Sequence, residues 1–421
     1  MKDKTVFYQI YTQYLRKFYE ISQQDLAKSL EISNSSLSKI EAGKQEMDEK
    51  TFKKVIEYFE NLDPDFHFSF DMAYIAKAEA FIRQYVQAFV MMTYKKNLFE
   101  LETFLNEPAL CHSFAFFYRE LLEILYDTFK EIDCKKRVQH LLDLQYFTDD
   151  YYLALLYDLL GISEITMNVE VLKRQNKALK TALFYCRGIR EDGLHGMILY
   201  HFILNLKKTN NPEALEYFNE CEHTLQKAGA YRRLTHSKLN KGNLFTSLRF
   251  YSLAQEAYAD LELLLNHNDE DSLILRVYES SSWCALLQGK YEEAIEKARK
   301  AERLGSRFPD IYITFAYGYY KLGDIQSARQ SITRFRHAFS SEPRVNFINS
   351  FFTILERIMD DKNVPDYLIE RLLKKLPDFR DVELEMVLYP LLSDYYCSLG
   401  SFQEAYRIQK RWNDYLQFTK F

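Results

Sequence analysis

Near the N-terminus, apolar residues recur with the spacing of two short helices. Leu26, Ala27 and Leu30 form one apolar face at helical intervals, and Leu37 and Ile40 form a second one after a short polar segment. Two helices that cross steeply over a short turn need a small residue at their contact, and Ala27 supplies it. The pattern therefore predicts two short helices packed at a steep angle.

The residues that flank these faces are suited to begin and end helices. Ser22 and Ser33 each precede an apolar face, where a serine hydroxyl can accept hydrogen bonds from early helix amides. Gly43 follows the second face and is suited to a helix C-terminus. Ile32 is left in the turn, so we expect helices that begin after Ser22 and after Ser33.

Short polar groups occupy the outer positions of the second helix, together with one cation. They are Asn34, Ser35, Ser36, Ser38 and Lys39. Such residues are expected on a helix whose N-terminal end enters the major groove of DNA, where amide, hydroxyl and ammonium groups contact base edges and phosphates.

The segment resembles the helix-turn-helix of the phage-repressor/Cro (XRE) type over about residues 5–60. The resemblance is carried by Ser22-Gln23, Leu26-Ala27, Ile32-Ser33, Leu37-Ser38-Lys39-Ile40-Glu41 and Gly43-Lys44. It implies that Asn34, Ser35 and Lys39 face base edges. It also implies that a second set, Ser22, Gln23, Ser36, Ser38 and Lys44, approaches phosphates.

This chain departs from the XRE pattern at two positions. Glu31 stands where the turn usually has glycine, and Met47 stands where a proline commonly follows the last glycine. The first departure predicts a slightly altered turn, and neither removes a contact residue. A helix-turn-helix used only for packing or dimerisation is the alternative interpretation.

The charge of the chain gives the DNA-binding interpretation little support. The formal net charge is −5 with a pI near 6.1, and residues 1–60 contain ten Lys/Arg and ten Asp/Glu. One copy of such a neutral domain should bind DNA weakly, and a dimer would double the phosphate contacts.

A second pattern repeats every 34 residues in the C-terminal half. The pairs are Gly289 and Gly323, Tyr291 and Ile325, Ala294 and Ala328, and Pro309 and Pro343. A further copy runs from Tyr396 to Ala405, and weaker copies end at Ala254 (with Tyr251 and Gly242) and at Ala214. Glycine turns one helix back on the next, the aromatic residue fills the crossing, and alanine permits close approach.

This pattern resembles the tetratricopeptide repeat. The match is strong over 275–340, fair over 385–418 and weak over 195–270, while 110–190 fits the same helical hairpins by length and composition only. The resemblance implies a right-handed superhelix with a concave face lined by the first helix of each repeat. The inward candidates for binding an extended peptide are Asn243, Arg276, Glu279, Trp283, Ile313, Tyr317 and Tyr320. Packing against neighbouring helices is the alternative for each of them.

Composition predicts an all-α protein. The chain has only 12 glycines, none between Gly43 and Gly161, and shows no sustained strand-like alternation. It has no CxxC pair, zinc-site spacing, phosphate-binding loop or GxSxG motif, so we expect no cofactor, no metal and no enzymatic activity. Without a signal-peptide pattern or a run of about 18 apolar residues, we expect a cytoplasmic protein that does not contact membranes.

Proline and Asx residues around Pro64 mark the end of the first unit. The predicted division is a helix-turn-helix domain at 1–62, a linker with connecting helices at 63–110, and a repeat domain at 111–421.

The combination of the two motifs is similar to the RNPP family of peptide-pheromone receptors of Gram-positive bacteria and their phages. It implies a homodimer that binds double-stranded DNA with an affinity controlled by a short signalling peptide in the groove. A DNA-binding repressor whose repeats bind a protein partner is the alternative. The operator, the ligand and the sign of the response stay open.

Overall fold

The computed structural model describes residues 4–66, 68, 72–93, 98–105, 116–130, 132–142, 149–164, 168–209, 211–265, 271–379 and 382–418. Every regular element in these ranges is an α-helix, which confirms the all-α prediction. The chain forms two compact units, one of residues 1–205 with 219–234 and one of 206–218 with 235–421. The predicted domain boundaries at 62 and 110 stay a prediction.

The helices follow one another along the chain with short connections. The first are α1 (Lys4–Phe18), α2 (Gln23–Ser29), α3 (Asn34–Glu41), α4 (Glu49–Leu62), α5 (Met72–Val90), α6 (Leu98–Leu105), α7 (Phe116–Phe129) and α8 (Lys135–Leu142). The middle ones are α9 (Asp150–Ile162), α10 (Val169–Cys186), α11 (Asp192–Lys207), α12 (Ala214–Lys227), α13 (Tyr231–Ser247), α14 (Tyr251–Leu265) and α15 (Asp271–Leu287). The last are α16 (Tyr291–Arg303), α17 (Ile311–Lys321), α18 (Ile325–Ala338), α19 (Pro343–Met359), α20 (Asp366–Phe379), α21 (Val382–Ser398) and α22 (Phe402–Phe418).

The N-terminal helices share an aromatic core. Phe7 and Tyr11 of α1 stack with their ring centroids 5.2 Å apart, and Tyr8 stacks on Phe52 of α4 at 4.1 Å. All four side chains are buried. Stacked ring pairs add about 0.5–1.5 kcal/mol to the burial of their apolar area, so these contacts stabilise the packing of α1 against α4.

A buried polar network holds the C-terminal end of α5 in the first unit. Arg233 donates hydrogen bonds to the backbone carbonyls of Val90 (3.0 Å) and Phe89 (2.6 Å). Its Nη1 also lies 3.4 Å from Nε2 of His201, whose Nδ1 lies 2.9 Å from the Asp158 carboxylate. A buried charge that has no partner is costly, and here Arg233, His201 and Asp158 each have a hydrogen-bond partner.

Helical hairpins of the tetratricopeptide type build the second unit. Gly289, Gly323 and Gly400 lie two residues after the ends of α15, α17 and α21, with φ of +76°, +79° and +69°, respectively. This conformation closes a helix C-terminus and favours glycine. The 34-residue pattern therefore predicted these turns correctly, and Pro343 opens α19 as expected.

The weak copy before Ala254 turns in another way. Gly242 lies inside α13, where its missing Cβ leaves room for the ring of Tyr258. The turn between α13 and α14 is made by Arg249, with φ of +65°. The hairpin is preserved although the residue that closes it is not glycine.

Candidate functional site

The α2–α3 pair has the local geometry that the sequence predicts. The Ser22 hydroxyl accepts a hydrogen bond from the Asp25 amide at 3.1 Å, and that of Ser33 accepts one from the Ser36 amide at 3.0 Å. The predicted apolar residues Leu26, Ala27, Leu30, Leu37 and Ile40 are all buried. Both helices thus begin directly after their predicted caps.

In the turn between α2 and α3, one residue adopts the left-handed conformation although it is not glycine. Glu31 has φ of +58°, a conformation that costs about 1–2 kcal/mol for a residue with a Cβ. Lys54 of α4 lies 2.9 Å from its carboxylate. Met47, at the other departure from the XRE pattern, is buried, and its sulfur lies 3.5 Å from the Thr12 hydroxyl. Both departures from the pattern thus make contacts with neighbouring helices, Glu31 with α4 and Met47 with α1.

The residues predicted to face base edges lie together on an exposed surface of α3. Asn34 begins the helix, Ser35 follows it and Lys39 lies in the last turn, and all three are exposed. Of the residues predicted to approach phosphates, Ser22, Ser38 and Lys44 are exposed, while Gln23 and Ser36 are half-buried. The structure places these residues, and their contact with DNA stays a prediction.

Some of the predicted phosphate ligands already have partners within the protein. The Ser22 hydroxyl donates to the Asp25 carboxylate at 2.6 Å, and that of Ser36 lies 3.2 Å from the Gln45 side-chain oxygen. Gln23 donates from Nε2 to Glu41 at 2.7 Å. Their side chains are therefore oriented before any ligand arrives.

Sequence reasoning missed the ion pair that orients Gln23. Arg16 of α1 makes two parallel hydrogen bonds to the Glu41 carboxylate, at 2.7 and 2.8 Å, and the Glu41 side chain is 1% exposed. Such a two-point pair fixes geometry as well as charge. The signal was an acidic residue directly after the buried Ile40, because a carboxylate at a buried position requires a partner.

The residues predicted to bind peptide fall into two groups. Trp283, Ile313 and Tyr317 are buried in one hydrophobic cluster with residues of α19 and α21. Asn243, Glu279 and Tyr320 are half-buried and Arg276 is exposed. The structure therefore brings the α15 and α17 residues together around a common core, and their role in binding stays a prediction.

Two half-buried members of this set carry directed polar contacts. Asn243 Oδ1 accepts a hydrogen bond from the Tyr258 hydroxyl at 2.8 Å. Glu279 accepts one from the Ser306 hydroxyl, and burial raises the pKa of the Glu279 carboxyl. These contacts leave the exposed guanidinium of Arg276 as the charge in this set that is most accessible to a ligand.

Trp283 has an unusual polar atom for a core residue. Its side chain is 8% exposed, and its buried indole Nε1 has no hydrogen-bond partner among the described residues. A buried donor that is left unpaired costs about 1–3 kcal/mol. The indole is therefore suited to donate to a carbonyl that reaches it.

Among the described residues, no group of three or more His, Cys, Asp or Glu side chains could hold a metal ion. None of the helices in the described ranges is long and apolar enough to cross a membrane.

Comparisons with known proteins fit both parts of this description. Residues 13–66 match the Helix-turn-helix family. No curated protein sequence matches the chain significantly. Among solved structures, the apo form of RapI matches with a TM-score of 0.63 and 14% identity, over 82% of this chain and 98% of RapI.

The quorum sensor NprR from B. thuringiensis is similar as well. Its apo form matches with a TM-score of 0.61 and 17% identity, over 80% of this chain and 98% of NprR. NprR in complex with its cognate peptide NprX matches with a TM-score of 0.55 and 17% identity, over 81% of this chain and 99% of NprR. At this identity the likeness shows the fold alone. The chain thus combines a match to the Helix-turn-helix family over residues 13–66 with an all-helical fold similar to those of RapI and NprR.

Proposed function

We propose that the protein is a cytoplasmic, homodimeric transcription regulator whose DNA affinity is controlled by a short signalling peptide. The observation that carries the DNA-binding part is the exposed row of Asn34, Ser35 and Lys39 on α3. Base edges in the major groove are recognised by side chains with amide, hydroxyl and ammonium groups. The bidentate Arg16–Glu41 pair supports this surface, because it holds the end of α3 against α1.

The DNA-binding part can be tested with the purified full-length chain. A pool of random-sequence duplexes, selected through several rounds of binding, would yield a preferred site. Lys39→Ala should then weaken binding to that site by about 1–3 kcal/mol, or roughly 5- to 150-fold. Lys50→Ala, which removes an exposed lysine at the start of α4, is the matched control. Failure to enrich any sequence, or equal affinities of both variants and the wild type, would refute the assignment.

The peptide part rests on the indole of Trp283 and on the fold shared with NprR, which has been crystallised with its peptide NprX. Extended peptides offer backbone carbonyls, and the Trp283 Nε1 is a donor without a partner in the described part of the chain. The control of DNA affinity is a population shift, in which the peptide binds one dimer arrangement better than another.

Intrinsic fluorescence offers a direct assay, since Trp283 and Trp412 are the two tryptophans of the chain. Synthetic peptides encoded by small open reading frames next to the gene would be titrated into wild type and Trp412→Phe. A saturable change that persists in Trp412→Phe supports binding near Trp283. Hydrogen-exchange protection outside 195–345 would contradict the groove assignment.

A repeat domain that binds a protein partner instead of a peptide is the second candidate. The exposed Phe402 and Tyr406 on α22, which are 69% and 70% exposed, favour it, because exposed aromatic residues are typical of protein interfaces. Capture of a folded protein that Phe402→Ser abolishes, without any peptide response, would support this candidate.

A further inference from the structure

Helix α22, the last helix that the structure describes, exposes aromatic side chains on one face. Phe402 and Tyr406 are 69% and 70% exposed, and because they are four residues apart they lie side by side along the helix. Ala405 and Ile408 are buried in the cluster that contains α21. We call Phe402 and Tyr406 the α22 strip, which the peptide groove and the helix-turn-helix leave unused.

The repeats before α22 indicate what this face does. In α16, the two positions that correspond to the α22 strip hold Tyr291 and Ile295. The ring of Tyr291 lies 6.3 Å from that of Tyr317 on α17, measured between centroids. Ile295 is 4% exposed, and its side chain occupies the space that Gly318 of α17 leaves. These positions therefore form the surface on which the following hairpin stacks.

Helix α18 shows the same arrangement one repeat later. Arg329 holds the position that corresponds to Tyr406, and its guanidinium pairs with Asp360 at the end of α19. On α22 the other side is already covered, because Arg411, which lies opposite the strip, is 3.1 Å from Glu370 of α20. The α22 strip is therefore the stacking surface of the last described hairpin, and no described hairpin follows it.

Two exposed rings are unusual at the end of a repeat array, because terminal repeats need a polar outer face to stay soluble. An aromatic side chain buries about 150–250 Å² when it is covered, so two rings that are 69% and 70% exposed present roughly 200–350 Å² to water. Two copies that pack strip to strip bury about twice that area, a substantial share of the roughly 1,200–2,000 Å² of a standard interface. The strip is therefore large enough to form the centre of a dimer interface.

We infer that the α22 strip packs against the α22 strip of a second copy of this chain, around a two-fold axis. The inference rests on the homodimer of the proposed function and names its contact surface. The same patch then serves both copies, as a two-fold interface requires.

The charge of the strip favours a second copy as its occupant. Gln409 and Asn413 continue the strip at i+7 and i+11 from Phe402, and both are exposed and uncharged. Each copy has a net charge of −5, so a contact between copies needs a surface on which like charges do not face each other. Complementary charge would select a different protein, and the strip offers none.

Sedimentation of the full-length chain tests the inference. Wild type should form a dimer whose population rises with concentration between about 1 and 100 μM. The F402S/Y406S variant removes four rings from the dimer, and the loss of aromatic side chains at the centre of an interface is costly. We expect its dissociation constant to rise at least roughly 100-fold.

A second variant keeps the test independent of the loss of apolar area. Tyr406→Arg introduces the residue that α18 holds at this position, which is Arg329. It places equal charges on both strips, so it should also dissociate the dimer. Because both replaced side chains are exposed, each variant should keep the wild-type helix content by circular dichroism.

A matched control removes the same two residue types elsewhere. Phe184 and Tyr231 are 67% and 66% exposed, and both belong to the first unit, whereas α22 belongs to the second. The F184S/Y231S variant should keep the wild-type dissociation constant.

The outcomes separate this inference from the proposed function. A dimer that persists unchanged in F402S/Y406S, or that is weakened equally in F184S/Y231S, would overturn the inference while the proposed function stands. A wild type that is monomeric at every concentration, as expected when a different protein occupies the strip, would overturn both the inference and the homodimer. The duplex selection would then still decide the DNA-binding part.

Discussion

The Arg233 network makes a sharp prediction about stability. Arg233, His201 and Asp158 are 3%, 6% and 0% exposed. Arg233→Met keeps a side chain of similar length and removes the guanidinium, so the hydrogen bonds to the Phe89 and Val90 carbonyls are lost. Breaking a buried pair by removing one partner costs about 3–5 kcal/mol. We expect a loss of that size in the unfolding free energy of the first unit.

The expected magnitude agrees with the individual contacts. Two hydrogen bonds from a charged donor contribute about 1.5–3 kcal/mol each. The guanidinium also lies over the rings of Phe89 and Tyr200, at 5.2 and 5.1 Å from their centroids, and desolvated contacts of this kind reach about 2 kcal/mol. Part of the sum is offset because methionine fills the space without a desolvation cost.

The assay is unfolding in urea monitored by hydrogen exchange, because the two units need not unfold together. Amides at the end of α5 should lose protection in Arg233→Met. Arg174→Met on α10 is the control, because Arg174 is exposed and lies in the same unit, and it should change stability by less than about 0.5 kcal/mol. A double-mutant cycle with Asp158→Asn should give a coupling of at least about 0.5 kcal/mol. Additive effects of the two substitutions would refute the network.

Three further substitutions test individual features of the fold. Glu31→Gly should raise the stability of the chain by about 0.5 kcal/mol. The strain of the left-handed conformation, about 1–2 kcal/mol, is relieved, and it exceeds the entropy cost of glycine, about 0.5–1 kcal/mol. A lower melting temperature would contradict this. Gly242→Ala should cost about 1–3 kcal/mol in urea unfolding, because the added Cβ would lie 2.7 Å from the Tyr258 ring; an unchanged midpoint would show that the ring has room to shift. Burial raises the pKa of Glu279 above its ordinary value of 4.5, so its contribution to stability is present below that pH and is lost as the pH rises through the folded-state pKa. Glu279→Gln should therefore gain stability relative to wild type as the pH is raised from 4 to 7, and a constant difference would refute the assigned cause.

The helix-turn-helix could be predicted from sequence because its determinants are local. The caps Ser22 and Ser33 bond amides three residues away, and the apolar faces repeat within one or two turns. The Arg16–Glu41 pair spans 25 residues, and no local pattern specifies which of the cations in α1 meets that carboxylate. The sequence could therefore indicate that Glu41 needs a partner, but it could not identify that partner as Arg16.

The repeats show the same division between local and distant determinants. Gly289 and Gly323 indicate their turns in the sequence, because these turns require a positive φ, which favours glycine. Arg249 makes an equivalent turn with a side chain that has no particular preference for it, so its hairpin was recognised only weakly. The ring of Tyr258 on α14 fills the space that Gly242 leaves on α13, and such packing cannot be read from a 34-residue period.

The inner residues of α15 and α17 show why a repeat register predicts position better than accessibility. The register groups Trp283, Ile313 and Tyr317 on one side, and the structure does bring them together, but within a core that includes α21. Lys321 of α17 also pairs with Asp394 of α21 at 2.9 Å. The Trp283 indole is 8% exposed, so a peptide carbonyl that accepts from its Nε1 has to displace side chains of this cluster. The unpaired Nε1, which costs about 1–3 kcal/mol, is one source of the free energy for that exchange. Peptide binding would then be coupled to a rearrangement of the cluster, which is what a switch between two arrangements requires.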